Sequence, residues 1–84
     1  MLNPTQEYID DLEDGDIVWI VWKSDLRRSY QIKKEPNNQT FGVPTEEYRY
    51  TDPDRRDREI EASKIWLSPT NMIECTPIAD TWYD

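Results

Sequence analysis

Residues 17–22 read Ile-Val-Trp-Ile-Val-Trp, six consecutive β-branched or aromatic side chains. No other stretch restricts the chain as strongly. β-Branched residues lose rotamer freedom in a helix, and both kinds of side chain pack well on a pleated surface. The run therefore predicts a strand. A period of two places Ile17, Trp19 and Val21 on one face and Val18, Ile20 and Trp22 on the other. Both faces are apolar, so the strand is either central and covered on both sides, or it offers one face to a partner.

The flanking sequence predicts further short elements. Asn3-Pro4-Thr5-Gln6 reads as a helix start, with Asn3 as cap, Pro4 in the first turn and Gln6 where a capping-box residue would stand. Tyr8, Ile9 and Leu12 then share one face, and Gly15 ends the segment. Asp10, Asp11 and Asp14 near its C-terminus oppose the macrodipole, so this helix needs tertiary contacts. Asp14-Gly15-Asp16 is a turn signal, and Lys23 to Leu26 is a polar connection. A second strand is expected over 28–35, with Tyr30 and Ile32 facing in. The stretch 35–40 is a loop and 41–44 is irregular. A third strand over 46–51 would put Tyr48 and Tyr50 on one side. Residues 52–57 read as a charged turn. A fourth strand over 58–67 would align Ile60, Ala62 and Trp66, with helix as the rival because Glu59, Glu61, Ala62 and Lys64 tolerate it. Ser68 to Asn71 breaks the chain. A fifth strand covers 72–76, and Pro77 confines it to an edge or an end. Residues 78–84 form a tail that either packs or binds.

Eighty-four residues make one domain with room for a single small core. Aromatics make up 12% of the chain, and Trp19, Trp22 and Trp66 are the expected core members because each supplies a large area. The single cysteine, Cys75, excludes an internal disulfide and reads as a buried thiol. No apolar run approaches the length of a membrane span and no secretory segment is evident, so a reducing cytoplasm is the expected compartment.

Five short strands with charged turns suggest a mainly β fold: a small five-stranded barrel, or a strongly bent antiparallel sheet with a short N-terminal helix. Two stretches carry a resemblance to the SH3 fold. Leu12-Glu13-Asp14-Gly15-Asp16-Ile17-Val18 resembles the L-x-x-x-G-D-x-I segment of that family, and Lys23-Ser24-Asp25 falls where the family often has a K-S-D turn. Trp66-Leu67-Ser68-Pro69-Thr70-Asn71-Met72-Ile73 resembles its G-L-F-P-S-N-Y-V segment, which implies a 3₁₀ turn before the last strand. The middle of the chain, 35–60, does not align. The peptide-binding tyrosine of the family falls on Met72, its groove tryptophan has no match near Ser29-Tyr30, and its opening A-L-Y-D-Y motif is absent. The resemblance implies an SH3-like barrel and does not extend to proline-rich peptide binding.

The chemistry available is narrow. There is no histidine, which removes the commonest general base and a frequent metal ligand. Asp52, Asp54 and Asp57 lack the spacing and glycine of a calcium loop. Gly15 and Gly42 are isolated, so no phosphate loop of the glycine-rich kind exists. No cofactor is expected, and the chain reads as a binding protein, not an enzyme.

Charge is the remaining signal. The net charge is −8, from 18 acids and 10 bases. Residues 1–16 hold six acids and no base, and 46–61 hold seven acids and four arginines, whereas 23–34 are locally basic. Such a field attracts basic surfaces and repels nucleic acid and anionic membrane. It also serves solubility alone. The expected partner-binding residues are Glu7, Asp10, Asp11, Glu13, Asp14, Glu46, Glu47, Asp52 and Asp54, joined by Tyr48, Tyr50, Trp82 and Tyr83 because aromatics dominate interface energetics. Two functions fit. One is an acidic protein-binding inhibitor, such as an anti-CRISPR-like phage counter-defence protein, that occupies the basic surface of a nucleic-acid-binding enzyme. The other is an SH3-like adaptor or assembly subunit of a larger complex such as a phage particle. Direct nucleic-acid binding through Arg27, Arg28, Lys33 and Lys34 ranks below both, and the oligomeric state, monomer or dimer, stays open.

Overall fold

The computed structural model describes residues 1–78. Five antiparallel strands form one sheet in the order β4-β3-β2-β1-β5: β1 Ile17–Trp22, β2 Arg27–Lys34, β3 Thr40–Pro44, β4 Ile65–Trp66 and β5 Met72–Ile78. Strand β1 is interior to the sheet, paired with β2 on one side and β5 on the other. The tight β1–β2 turn closes with Trp22 N–H donating to Leu26 O at 2.9 Å, and Asp25 occupies the left-handed region at φ 70°. The β2–β3 turn closes likewise through Glu35 and Gln39, with Asn38 at φ 66°, a conformation Asn and Asp tolerate better than most residues.

The sheet has to curl. Five residues, 67–71, carry the chain from β4 at one edge to β5 at the other, and three of them form a compact 3₁₀ turn, Pro69–Asn71. In a flat sheet those edges would lie about 19 Å apart at ~4.8 Å per strand, more than such a connection spans comfortably. Curling brings Leu67 and Met72 onto the concave face. The result is barrel-like but open, since β4 and β5 do not pair. The 3₁₀ turn stands where the family resemblance implies one.

On the concave face, Val18, Ile20, Tyr30, Ile32, Leu67, Met72 and Cys75 pack with Ile9 and Leu12 as one buried cluster. Helix α1, Gln6–Asp10, delivers Ile9 to it, with Tyr8 and Trp22 packed at its border. Thr5, not Asn3, caps this helix: its hydroxyl accepts from Tyr8 N–H at 3.2 Å. Asn3 is instead committed to the sheet, donating its N–H to Ile73 O. Residues 1–3 thus run along β5 and cover that edge, and β4 at the other edge is only two residues long. Both edges are protected against strand pairing with another chain.

Four expectations about the middle of the chain are corrected. The stretch 41–44 is a strand, not irregular, because each residue of it pairs with β2 and Pro44 sits at its end, where the missing N–H costs little. The stretch expected as a third strand, 46–51, holds a 3₁₀ helix, Thr45–Arg49, with Glu46 and Glu47 in its first turn and Arg49 in its last, as the macrodipole favours. The stretch expected as a charged turn, 52–57, and most of 58–67, where strand was expected with helix as the rival, form one helix, α2, Pro53–Ser63, so the rival holds over 58–63. Asp52 caps it and Pro53 takes the first helical position, so the pair that looked like a turn is a helix start. Ile65 and Trp66 alone of 58–67 are strand.

The core is also more aliphatic than the tryptophan count implies. Trp66 is 58% exposed and Trp19 37%, whereas Tyr30 is the aromatic that is fully buried among the described residues. Trp66 lies on β4 next to the sheet edge, and Trp19 is flanked by Ser29 and Thr76 on the face away from the core. Among the described residues that second face is covered only in part. Ile17, Gln31 and Val43 form one cross-strand row in which Ile17 and Val43 are buried, and the first 3₁₀ helix and α2 pack against β2 and β3 there. No helix among the described residues is long and apolar enough to cross a membrane.

Candidate functional site

The two acidic segments fold into separate exposed elements. Glu7 and Asp10 lie on α1, Asp11 at its C-cap, and Glu13 and Asp14 in the turn before β1, all exposed. Several already serve the fold. Asp10 accepts from Gln6 Nε2 at 3.0 Å, and its carbonyl accepts from Lys34 Nζ. Asp14 Oδ1 accepts from Lys34 N–H at 2.8 Å, and Asp16 Oδ2 accepts from Glu13 N–H at 2.9 Å, which fixes the turn into β1.

The second segment is less uniform. Glu46 lies 3.9 Å from Arg28, and both side chains are well exposed. Glu47 is half-buried, with one carboxylate oxygen enclosed and lacking a hydrogen-bond partner among the described residues. Asp52 is spent as the cap of α2 and Asp54 lies exposed in its first turn. Tyr48 and Tyr50, expected as an exposed aromatic pair, are both half-buried, and Tyr50 carries the Arg55 guanidinium 4.6 Å above its ring. Trp82 and Tyr83 lie outside the described residues.

Folding brings parts of the two segments to one place. A groove of about 450 Å³ runs between α2 and β2, lined by Asp14, Gln31, Ile32, Lys33, Tyr48, Asp57, Ile60 and Glu61. Asp14 enters it from the N-terminal segment, and Asp57 and Glu61 enter one turn apart on α2. Tyr48 supplies an aromatic wall. Asp57 and Glu61 belong to the acidic segment 46–61 but were not singled out as contact residues, because their i, i+4 relation exists only in the helical alternative for 58–67.

One wall of the groove is electrostatically locked. Lys33 Nζ lies 3.2 Å from Glu61 and 3.7 Å from Glu35, and Lys64 Nζ lies 2.8 Å from each of the same two carboxylates. The hydrogen bonds from Lys64 hold the Glu35 and Glu61 carboxyls below the usual carboxylate range and raise the Lys64 ammonium above its own. Single exposed pairs contribute little, but this network joins β2, the β2–β3 turn and α2. Lys64 also sits 4.9 Å over the Phe41 ring.

Two other concavities differ in chemistry. An apolar cleft of about 390 Å³ is lined by Trp22, Lys23, Ser24, Leu26, Tyr30, Ile65 and Asn71. Trp22 Nε1 donates to the Tyr30 hydroxyl at 3.0 Å, and the rings meet edge to face, which sets the cleft wall. A smaller cleft of about 250 Å³ is lined by Arg28, Ser29, Pro44, Thr45, Glu46 and Arg49. Cys75 is fully buried, and burial pushes its thiol up to about 11, which suits a packing role. Met72, where the SH3 family has its peptide-binding tyrosine, is a core residue. Among the described residues no cluster of His, Cys, Asp or Glu is arranged to hold a metal ion. No family model, no curated protein and no solved structure matches this chain.

Proposed function

We propose that this chain is an acidic protein-binding inhibitor that occupies the basic surface of a nucleic-acid-binding enzyme, in the manner of anti-CRISPR-like phage counter-defence proteins. The observation that carries this reading is the groove between α2 and β2. Acids from two distant segments, Asp14 on one side and Asp57 and Glu61 on the other, meet there beside Tyr48. Carboxylates on a rigid frame substitute for phosphates in charge-assisted bonds to Lys and Arg. The frame is an SH3-like barrel in this reading, on the strength of the strand order and the 3₁₀ turn. Glu7, Asp11, Glu13, Asp54 and Asp57 are exposed and carry no side-chain ion pair or hydrogen bond among the described residues, so they are the most available charges, whereas Glu61 is already paired with Lys33 and Lys64.

The test is affinity capture from the native host, then the dissociation constant of the captured protein at 50 and 300 mM salt. Binding weakens at the higher salt, and Asp11→Lys combined with Asp57→Lys weakens it at least tenfold. Asp11→Lys complements the C-terminal end of α1, so the fold tolerates it. Salt-insensitive binding, or binding indifferent to the double reversal, defeats the reading.

A second reading, an SH3-like adaptor or assembly subunit, is favoured by the apolar cleft at Trp22, Leu26, Tyr30 and Ile65 and by the exposed Trp66. It predicts association through apolar area that salt does not weaken, which light scattering at the same two salt concentrations detects.

A further inference from the structure

The basic cleft at the end of the β2–β3 ladder stands apart from the acidic groove. Strand β3 leaves the sheet at Pro44, opposite Tyr30, and turns into the first 3₁₀ helix. Arg28 and Ser29 on β2 stay paired with β1 on one side, but on the other side they have the helix residues Thr45, Glu46 and Arg49 beside them in place of β3, and a cleft of about 250 Å³ opens there. Two arginines, Arg28 and Arg49, are among its lining residues. Among the described residues Arg49 has no ion pair or hydrogen bond, although the chain carries a surplus of acids. Arg28 meets one carboxylate, Glu46, at 3.9 Å, beyond hydrogen-bond length. The Ser29 and Thr45 hydroxyls share a hydrogen bond of 2.7 Å. Whichever of them accepts still has its own proton to donate.

The cleft thus combines one unpaired guanidinium, Arg49, a second, Arg28, held only by a long contact to Glu46, and one spare hydroxyl donor. Guanidinium forks match the oxygen spacing of phosphate and carboxylate groups. A carboxylate presents two oxygens in one plane, whereas the phosphate of a monoester presents three terminal oxygens in different directions, enough to meet both forks and the hydroxyl at once. We infer that this cleft is a binding site for the dianionic phosphate group of a small phosphate monoester, with Arg49 and Arg28 as its principal ligands. Glu46 occupies the rim in the absence of ligand and swings away when the phosphate takes Arg28. A long polyanion is a poorer occupant, because the −8 field of the whole molecule repels it while a small dianion feels mainly the two local charges.

The test is a titration of the full chain with inorganic phosphate, followed by amide chemical shifts. Acetate and an unphosphorylated single-stranded oligonucleotide are run as comparison arms at equal ionic strength. Phosphate is expected to shift Arg28, Ser29, Thr45 and Arg49 with saturation in the millimolar range. Arg49→Gln should weaken binding at least fivefold, and Glu46→Gln should strengthen it two- to threefold by freeing Arg28. Both side chains are exposed, so neither change threatens the fold, and a matching unfolding midpoint verifies this. Overturning results are equal saturation by acetate, tighter binding of the oligonucleotide at the same residues, shifts that survive in Arg49→Gln, or weaker binding in Glu46→Gln.

Discussion

Gly42 and Leu67 are predicted to be energetically coupled, and the geometry gives the size of the effect. Gly42 is buried in β3, and a methyl group built there would stand 3.1 and 3.4 Å from the two Cδ atoms of Leu67 and 3.3 Å from Tyr30 Cβ. Its backbone is ordinary strand, so Gly42→Ala gains about 0.5–1 kcal/mol from reduced chain entropy. Against this, an extra methyl in a packed core costs about 1–3 kcal/mol. Leu67 is 0% exposed and cannot swing aside freely, and the Tyr30 Cβ is fixed to the backbone, so crowding wins by about 1 kcal/mol. Leu67→Ala removes the closer obstacle at a cost of about 2–5 kcal/mol of its own. In the double variant the Gly42 methyl occupies the vacated space, and the total should fall short of the sum of the single costs by about 1 kcal/mol. Urea unfolding of the four proteins measures this. A chain of this length has about 4–12 kcal/mol to lose, so Leu67→Val replaces the alanine if Leu67→Ala does not fold. Additivity within about 0.3 kcal/mol would refute the reasoning, because it would mean the two positions do not compete for the same volume.

Three further outcomes follow from the same structure. Gly15 has φ 92° with open space around its Cβ position, so Gly15→Ala should cost about 1–2 kcal/mol from backbone strain alone and Gly15→Asn clearly less, read from unfolding midpoints. Glu35 and Glu61 have folded pKa values below their unfolded ones, so their contribution is present at neutral pH and is lost as pH falls below about 4.3 and through the depressed values. Lys64 has the opposite shift and loses its contribution only as pH rises through its raised value; the gap in thermal midpoint between wild type and Lys64→Met should therefore narrow from pH 7 to pH 3. Cys75, buried and pushed up to about 11, should react with a disulfide reagent at pH 8 far more slowly in the native protein than in urea, and equal rates would show that the site opens readily.

Much of the framework was written locally. The Ile17–Trp22 run specified β1 by itself, because six β-branched and aromatic residues suit no other conformation. Asp14-Gly15-Asp16 fixed the turn before it, since one position there needs positive φ. The inward alternation of Tyr30 and Ile32 marked β2, and Pro77 limited β5 to an edge or an end, of which the structure has the edge. Local chemistry was ambiguous at Asp52-Pro53, which suits both a turn and a helix start, and reading it as a turn favoured strand over helix for the residues that follow. Tertiary structure then decided what no local pattern carries. Curling of the sheet chose Leu67 and Met72 for the core and left Trp66 outside, because burial depends on which residues the concave face encloses, not on side-chain size. The meeting of Asp14 with Asp57 and Glu61, and of Arg28 with Arg49, likewise exists only after packing, since charge is a property of residues but a site is a property of the distances between them.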